Sequence, residues 1–304
     1  MAISRHQLVK ELEPGLNALF GLEYNRYDNQ HAEIYTSESS DRAFEEEVML
    51  SGFGNASVKS EGSGVAFDNA QESYSARYTH ETVALAFAIT EEAIEDNLYD
   101  RISSRYTKAL ARSMSNTKQV KAAAPLNNGL PSVDGFDSGD GVSLFNTAHT
   151  TVSGTSVKNT LSTQADLNET SLEQAMIDIS GMTDERGLRI AAKAVKMIVP
   201  SANQFAAERL MKSQGRTGTA DNDINALGSM GMIPQGYRVN NYLTDTDSFY
   251  IITDVPNGMK MFTRAPLTTA MEGDFDTGNV RYKARERYSF GVSDFRGIFG
   301  VEGA

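Results

Sequence analysis

From His80 to Ile89 large apolar residues alternate with small ones. Val83, Leu85, Phe87 and Ile89 fall on one face and Ala84, Ala86 and Ala88 on the other, the period of two of a packed strand. Thr90 ends the alternation, and the period then changes. Ile94, Leu98, Ile102, Tyr106, Leu110 and Met114 recur every four residues, with Tyr99, Ala109, Ser113, Thr117 and Val120 widening the stripe, which predicts an amphipathic helix from Glu91 to Lys121. Thr90 is placed to cap it; Glu91, Glu92, Glu95 and Asp96 sit at the positive end of its dipole, Lys118 and Lys121 at the negative end. At 1.5 Å per residue such a helix is roughly 45 Å long, more than the ~30 Å breadth of a small domain, so it reads as a spine serving more than one.

On either side the signals are weaker. Residues 1–50 hold one short amphipathic stretch, Gln7 to Phe20, followed by a polar run without packing period, and read as an extended arm. Residues 51–80 are rich in Gly, Ser and Asn, with small apolar islands at Val58 and Val65 to Phe67; they predict a loop or hairpin that packs on something else. After the helix, Pro125, Gly129, Pro131, Gly135, Gly139 and Gly141 mark a boundary. A mixed domain is expected beyond it: a helix at Leu172–Met182, a buried strand at Ala194–Val199, a helix at Asn203–Lys212 capped by Ser201, a loop at 217–225, and strands at Tyr237–Leu243 and Phe249–Thr253. Met259–Arg264 and Val280–Val292 flank an acidic turn (MEGDFDTGN) and predict a long hairpin with a projecting tip. In its second arm Arg281, Lys283, Arg285 and Arg287 share one face, opposite Tyr282, Ala284, Glu286, Tyr288, Phe290 and Val292. The class is α+β.

Composition narrows the function. A chain of 304 residues, 40% hydrophobic, buries a sizeable core, and with no cysteine it has neither disulfides nor a thiolate metal site. Met1 to Leu22 lacks a continuous apolar core, so neither signal peptide nor membrane span is expected. A net charge of −12 argues against a protein whose main task is to grip nucleic acid. For the four cations of 281–287, that background points to pairing with carboxylates, local or on a neighbouring subunit, or to a solvated face, ahead of nucleic acid. His6, His31, His80 and His149 are isolated in sequence, and no nucleophile-elbow, phosphate-loop or dinucleotide motif occurs. Asp137 with Asp140, and Asp221 with Asp223, lack the ligand pattern of a calcium loop. No catalytic, cofactor or metal site is assigned, and the expectation is a protein that is not an enzyme.

The order of elements, carried by RYTHETVALAFAITEEAIEDNLY, LFNTAHT, LSTQADLNETSLEQAMIDI, IVPSANQFAAERLMKS, GTADNDINAL and DFDTGNVRYKARERYSFGVSDFRGIFG, resembles the major capsid protein of tailed bacteriophages with the Hong Kong 97-like fold, and more narrowly the Mu-like major head subunit family. The resemblance spans nearly the whole chain. It implies an N-terminal arm (1–50), an extended loop (51–80) lying over an adjacent subunit, a peripheral domain (81–127) with its spine helix at 91–121, an axial domain (128–254), a peripheral long hairpin (255–296) and a C-terminal tail (297–304). The candidate inter-subunit contacts are then Lys59, Glu61 and Phe67 in the loop, Arg77 at its base, Asp274 and Asp276 at the acidic tip, and Arg281, Arg285 and Arg287 on the basic face.

The resemblance further implies a virion head shell of hexamers and pentamers of this chain, made in the host cytoplasm and enclosing double-stranded DNA without sequence-specific binding. Its partners would be the portal and separate scaffolding, protease or decoration proteins, with no membrane; the arm is too short to hold a scaffolding segment. Some relatives cross-link their loops through a lysine; Lys59 is the only lysine in this loop, and nothing around it signals that reaction. An encapsulin-like shell enclosing a cargo enzyme is the alternative. A flagellin-like filament would need long heptad helices at both termini, and the C-terminus here reads as strand.

Overall fold

The computed structural model describes residues 5–90, 92, 99–133, 135–215, 223–274 and 278–304, and the side chains of all these except 5–12 and 99–102. In chain order the elements are helix α1 (Arg5–Tyr24), strands β1 (Thr36–Ser39), β2 (Phe44–Leu50), β3 (Glu72–Thr79) and β4 (Glu81–Ile89), helix α2 (Tyr99–Asn128), and short strands β5 (His149–Thr150) and β6 (Ser156–Val157). They continue with α3 (Glu169–Ser180), β7 (Ala194–Val199), α4 (Gln204–Lys212), α5 (Ala226–Met230), β8 (Tyr237–Val239), β9 (Phe249–Thr253), β10 (Met259–Gly273), β11 (Val280–Val292) and β12 (Ile298–Val301).

The alternating strand takes the edge of a four-stranded sheet ordered β1-β10-β11-β4, in which β11 is antiparallel to both β10 and β4. Its large residues point to the side on which α2 packs, and Ala84, Ala86 and Ala88 lie open on the other. The first arm of the long hairpin runs on to Gly273, well past Arg264, because two register shifts between Thr263 and Thr268 absorb Pro266, which has no amide to give the ladder.

Helix α2 buries Leu110, Ala111 and Met114 against Tyr282 and Ala284 of β11, and α1 lies beside it, contributing Leu16 and Phe20. Each large buried side chain contributes about 1.5–3 kcal/mol. The arm is therefore not extended over 5–24; its amphipathic stretch is a packed helix. The buried row of α2 is Ser103, Thr107, Leu110, Ala111, Met114, Ser115, Gln119, Ala122, Ala123 and Leu126, while Tyr106, Ala109, Ser113 and Val120 of the predicted stripe are exposed. Small polar side chains let neighbouring backbone approach, a contribution that hydrophobicity alone does not register. The predicted first turns, residues 91 and 93–98, lie outside the described residues. The helix continues past Lys121 because Ala122–Ala124 favour it and Leu126 is fully buried, and Pro125 removes only one backbone bond. Between α1, α2 and β11 sits Glu286, 2% exposed, accepting from Lys118 Nζ at 3.3 Å and from Tyr24 Oη at 3.4 Å. Burial pushes its pKa up, and Lys118 opposes the shift.

A second sheet, ordered β12-β9-β7-β8, carries the larger core, into which Leu126 of α2 and Leu130 just beyond its end also pack. Asn168 and Ser171 form a reciprocal cap on α3. The expected Ser201 cap is absent: Ser201–Asn203 is a 3₁₀ turn, and Asn203 instead donates to the carbonyls of Asp247 and Ser248. The strand expected at Tyr237–Leu243 ends at Val239, where β7, its parallel partner, also ends. The expected tail at 297–304 is a correction of greater weight. Ile298–Val301 is a wholly buried strand paired with β9, and Gly300 lies so close to the Phe145 ring that a Cβ would approach it to 2.5 Å. The apolar content of IFGV, with its small residue at the tight point, is what admits it to the core.

Phe299 is fully buried, so Phe299→Ala will cost about 3–5 kcal/mol of stability in urea unfolding; a dispensable tail would show no change. A second expectation concerns His31, whose amide donates to Gln119 Oε1 at 3.0 Å, tying the arm to α2. Burial, then the Lys118 charge, lower its pKa from 6.5 to about 4. Its contribution is complete above pH 6.5 and is lost as pH falls towards 4, by about 3 kcal/mol. Unfolding at pH 7 and pH 4.5 will show a larger loss for the wild type than for His31→Gln; equal losses would contradict this.

Candidate subunit interface

The hairpin of β2 and β3 begins at Phe44, before the boundary expected at residue 51. Three consecutive glutamates conceal that strand, yet Glu45 and Glu47 face inward and are answered: Ser40 Oγ donates to Glu45 at 2.7 Å and Lys260 Nζ to Glu47 at 2.6 Å. Tyr78 seats the hairpin on the first sheet. Its ring meets Phe262 edge-on at 4.8 Å, its hydroxyl bonds Ser293, and it lies over Gly291, where a Cβ would come within 2.6 Å of the ring. His80, at the join to β4, has ring nitrogens 2.9 Å from Ser40 Oγ and Ser289 Oγ. Burial first, then the charge of Arg287, lower its pKa.

A buried ionic cluster fastens the hairpin at a second point. Arg296, 2% exposed, pairs with Glu185 at 2.7 Å and Asp294 at 3.2 Å and donates to the Thr183 carbonyl, while Glu185 accepts from Ser73 Oγ of β3 at 3.0 Å and from the Val152 amide at 3.2 Å. Every partner is satisfied, which such burial requires. Burial pushes the Asp294 carboxyl up despite Arg296.

Beyond these fastenings, Arg186 reaches Asn69 and Asp68 and Gly139 lies against Tyr74, but much of the apolar side of the hairpin is left uncovered by the described residues. Phe44, Val48, Leu50 and Phe53 are exposed apolar residues, and at the tip Val58 and Phe67 are each 98% exposed. A run of exposed apolar residues of this kind marks an interaction surface. The hairpin covers the first sheet at Lys260–Phe262 of β10 and Ser289–Ser293. The rest of that face presents Arg281, Lys283, Arg285 and Arg287 beside Ala88, Ala86, Ala84 and Thr82 of β4, so its cations stand over a floor of small residues. The hairpin segment 44–79 carries Glu45, Glu46, Glu47, Glu61, Asp68 and Glu72 against Lys59 and Arg77, and is acidic where this face is basic.

The sequence profile of the phage capsid proteins matches residues 73–301, from the second arm of the hairpin to the end of β12. The chain belongs to the phage capsid protein family. No curated protein sequence matches this capsid protein. Its fold is shared with a structure from Mycobacterium phage Patience (TM-score 0.56, 10% identity, 99% of this chain and 89% of that one). The capsid of Myoviridae phage XM1 is similar (0.55, 13% identity, 89% of each chain), as is a virus-like particle from Pyrococcus furiosus (0.51, 11% identity, 94% and 98%). The fold is the Hong Kong 97-like capsid fold, and the kinship stands at the level of phage capsid proteins, broader than the Mu-like group.

In this capsid protein Lys59, Glu61 and Phe67 are each exposed in the irregular segment between β2 and β3. Arg77 is engaged within its own hairpin, 3.7 Å from Glu46 and 4.1 Å above the Phe44 ring. Asp274 pairs with Arg281 across the end of β10 and β11, and Asp276 lies outside the described residues. Arg285 is exposed with no ion pair among the described residues, and Arg287 is half-buried beside His80. Of the aspartates weighed for metal, Asp140 is occupied: burial opposes its charge, but bonds from His149, at 2.6 Å, and Ser138 outweigh that and lower its pKa. His149 stacks on Phe295 at 3.8 Å. The side chain of His6 and residue Asp221 lie outside the described residues, among which no cluster fit for a metal occurs. The ion cluster around Arg296 is not legible in the sequence because Glu185 lies 111 residues from Arg296; only the charges Asp294 and Arg296, set in the apolar SDFRGIFG run, point to it.

Gly291→Ala will unseat Tyr78. Limited proteolysis is expected to cut 44–79 at least several-fold faster than in the wild type with little change in overall unfolding, whereas an unchanged cleavage rate would show that the seat does not hold the hairpin.

Proposed function

We infer that this chain is the major capsid protein of a tailed phage or prophage, forming hexamers and pentamers of an icosahedral shell around double-stranded DNA. The observation that carries this is the family match joined to an acidic hairpin whose apolar residues Val48, Leu50, Phe53, Val58 and Phe67 stay exposed on the single chain. The hairpin 44–79 reaches over the adjacent subunit, where the bare face of Lys283 and Arg285 matches it in charge. The first sheet with α2 serves as the peripheral domain. The second sheet, largely within 128–254 but closed by β12, serves as the axial domain around five-fold and six-fold positions. The acidic tip 272–279 lies near the meeting of three capsomers. Portal, scaffolding, protease and decoration proteins are the expected further partners, and within the family the segments of the sequence favour the Mu-like head subunits. The role is mechanical, with no catalytic step, in a virion shell assembled from protein made in the bacterial cytoplasm. No described helix is long and apolar enough to cross a membrane. An encapsulin-like compartment is the lesser reading, because the family matched is that of phage capsids.

Purified full-length protein, alone or with scaffold supplied, is expected to form closed angular shells or five- and six-fold rings in negative-stain microscopy, with DNA-filled particles from phage growth. Lys283→Glu with Arg285→Glu will abolish assembly while circular dichroism stays unchanged. A monodisperse monomer under all conditions would refute the shell.

A further inference from the structure

We propose that the solvent face of α2 is the surface through which this subunit meets the enclosed double-stranded DNA, by a phosphate-binding row of Arg105, Lys108 and Arg112. The proposal rests on the shell reading above. Between Arg101 and Lys121 the sequence has Arg101, Arg105, Lys108, Arg112, Lys118 and Lys121 and no Asp or Glu, in a chain with 40 acidic and 28 basic residues. These cations divide into two sets. Lys118 is taken by Glu286 and Lys121 by Glu81. Arg105, Lys108 and Arg112 are exposed and have no ion pair among the described residues.

Their spacing places them in one line, because positions three and four apart stack on the same side of a helix, with a rise of about 6 Å over four residues. A duplex carries one charge per ~1.7 Å of axis, so phosphates are available at that scale. The surface beside the row is open. Lys108 and Arg112 border a groove of about 550 Å³ floored by Ala109, Ser113 and Asn116, with Tyr27 opposite. The carboxylate on its far wall, Glu23, is already answered by Arg26 at 3.6 Å and the Tyr27 hydroxyl at 3.3 Å.

Orientation separates this row from the other basic surface. The hairpin lies on one face of the first sheet and α2 on the other, so the two sets of cations look in opposite directions. If hairpins tie neighbours together on one side of the shell wall, the α2 side is left for its contents. Sequence-independent phosphate contacts of this kind are weak, of order 10⁻⁴–10⁻⁶ M at physiological salt. Repeated over every subunit they order the outermost DNA, while the acidic remainder of the chain keeps it from being trapped.

The test uses full-length unassembled protein and a labelled 20-base-pair duplex of random sequence, read by fluorescence anisotropy from 50 to 200 mM salt. Arg105→Gln with Lys108→Gln and Arg112→Gln is expected to lose at least tenfold in affinity at the lowest salt and to flatten the log–log salt slope by roughly 2–3. Lys283→Gln with Arg285→Gln should keep duplex binding. Unchanged affinity in the helix variant, no binding by the wild type at 50 mM salt, or equal competition by polyglutamate would overturn the proposal, the last by assigning the face to an acidic protein segment. So would a helix variant that stays folded but no longer forms shells, which would make the face a subunit contact. Wild type that binds duplex through this row but never assembles would leave the contact standing and sink the shell reading.

Discussion

One helix runs through two hydrophobic cores, and the rest of the arrangement depends on it. Leu110 and Met114 of α2 pack with α1 and β11, while Ala122 and Leu126, three and four turns on, belong to the core of the second sheet. With 30 described residues the helix is about 45 Å long, so it fixes the two sheets at a set distance without a hinge between them. The buried Glu286 and Lys118 pair pins its rotation about its own axis, and His31 with Gln119 brings the arm to it. Once that axis is set, β11 must turn Tyr282 and Tyr288 towards the helix and its row of cations away from it.

The exposed surfaces follow from what this frame leaves unpaired. Buried charges are all answered in place: Arg296 by Glu185 and Asp294, Lys260 by Glu38 and Glu47. Removing one member of such a cluster would strand the other, which costs far more than a surface pair returns. Among the charges left unanswered are those on the open half of the first sheet, on the solvent side of α2, and in the acidic hairpin. In a chain with a net charge of −12, two local sets of cations face opposite ways, as suits a wall with an inner and an outer side.

Much of this was legible in the sequence where one face of an element is apolar and the other is not. The alternation of 80–89 and the helical period after it gave the sheet edge and the spine, and the order of segments gave the fold. Legibility failed where polar residues pack. Glu45 and Glu47 conceal β2 because their partners, Ser40 and Lys260, come from elsewhere in the chain. Ser103, Thr107 and Ser115 form the close-packed side of α2, where a hydrophobic count favoured Tyr106 and Val120. The row at Arg105–Arg112 is hidden in the net charge of the whole chain and stands out only in the local charge of the helix. Of the interface candidates, the hairpin tip and Arg285 are placed to meet a neighbour, whereas Arg77 and Arg281 are spent on partners within the subunit.

The most direct measurement is hydrogen exchange on the same protein before and after assembly. The irregular tip, residues 51–71, has few backbone hydrogen bonds of its own and should exchange freely in the dissociated subunit. In the particle, strong new protection is predicted there, with little change in strands already paired on both sides such as β7, β9 and β11. Free exchange of the tip in assembled particles would contradict the claim that the hairpin is completed by a neighbouring subunit.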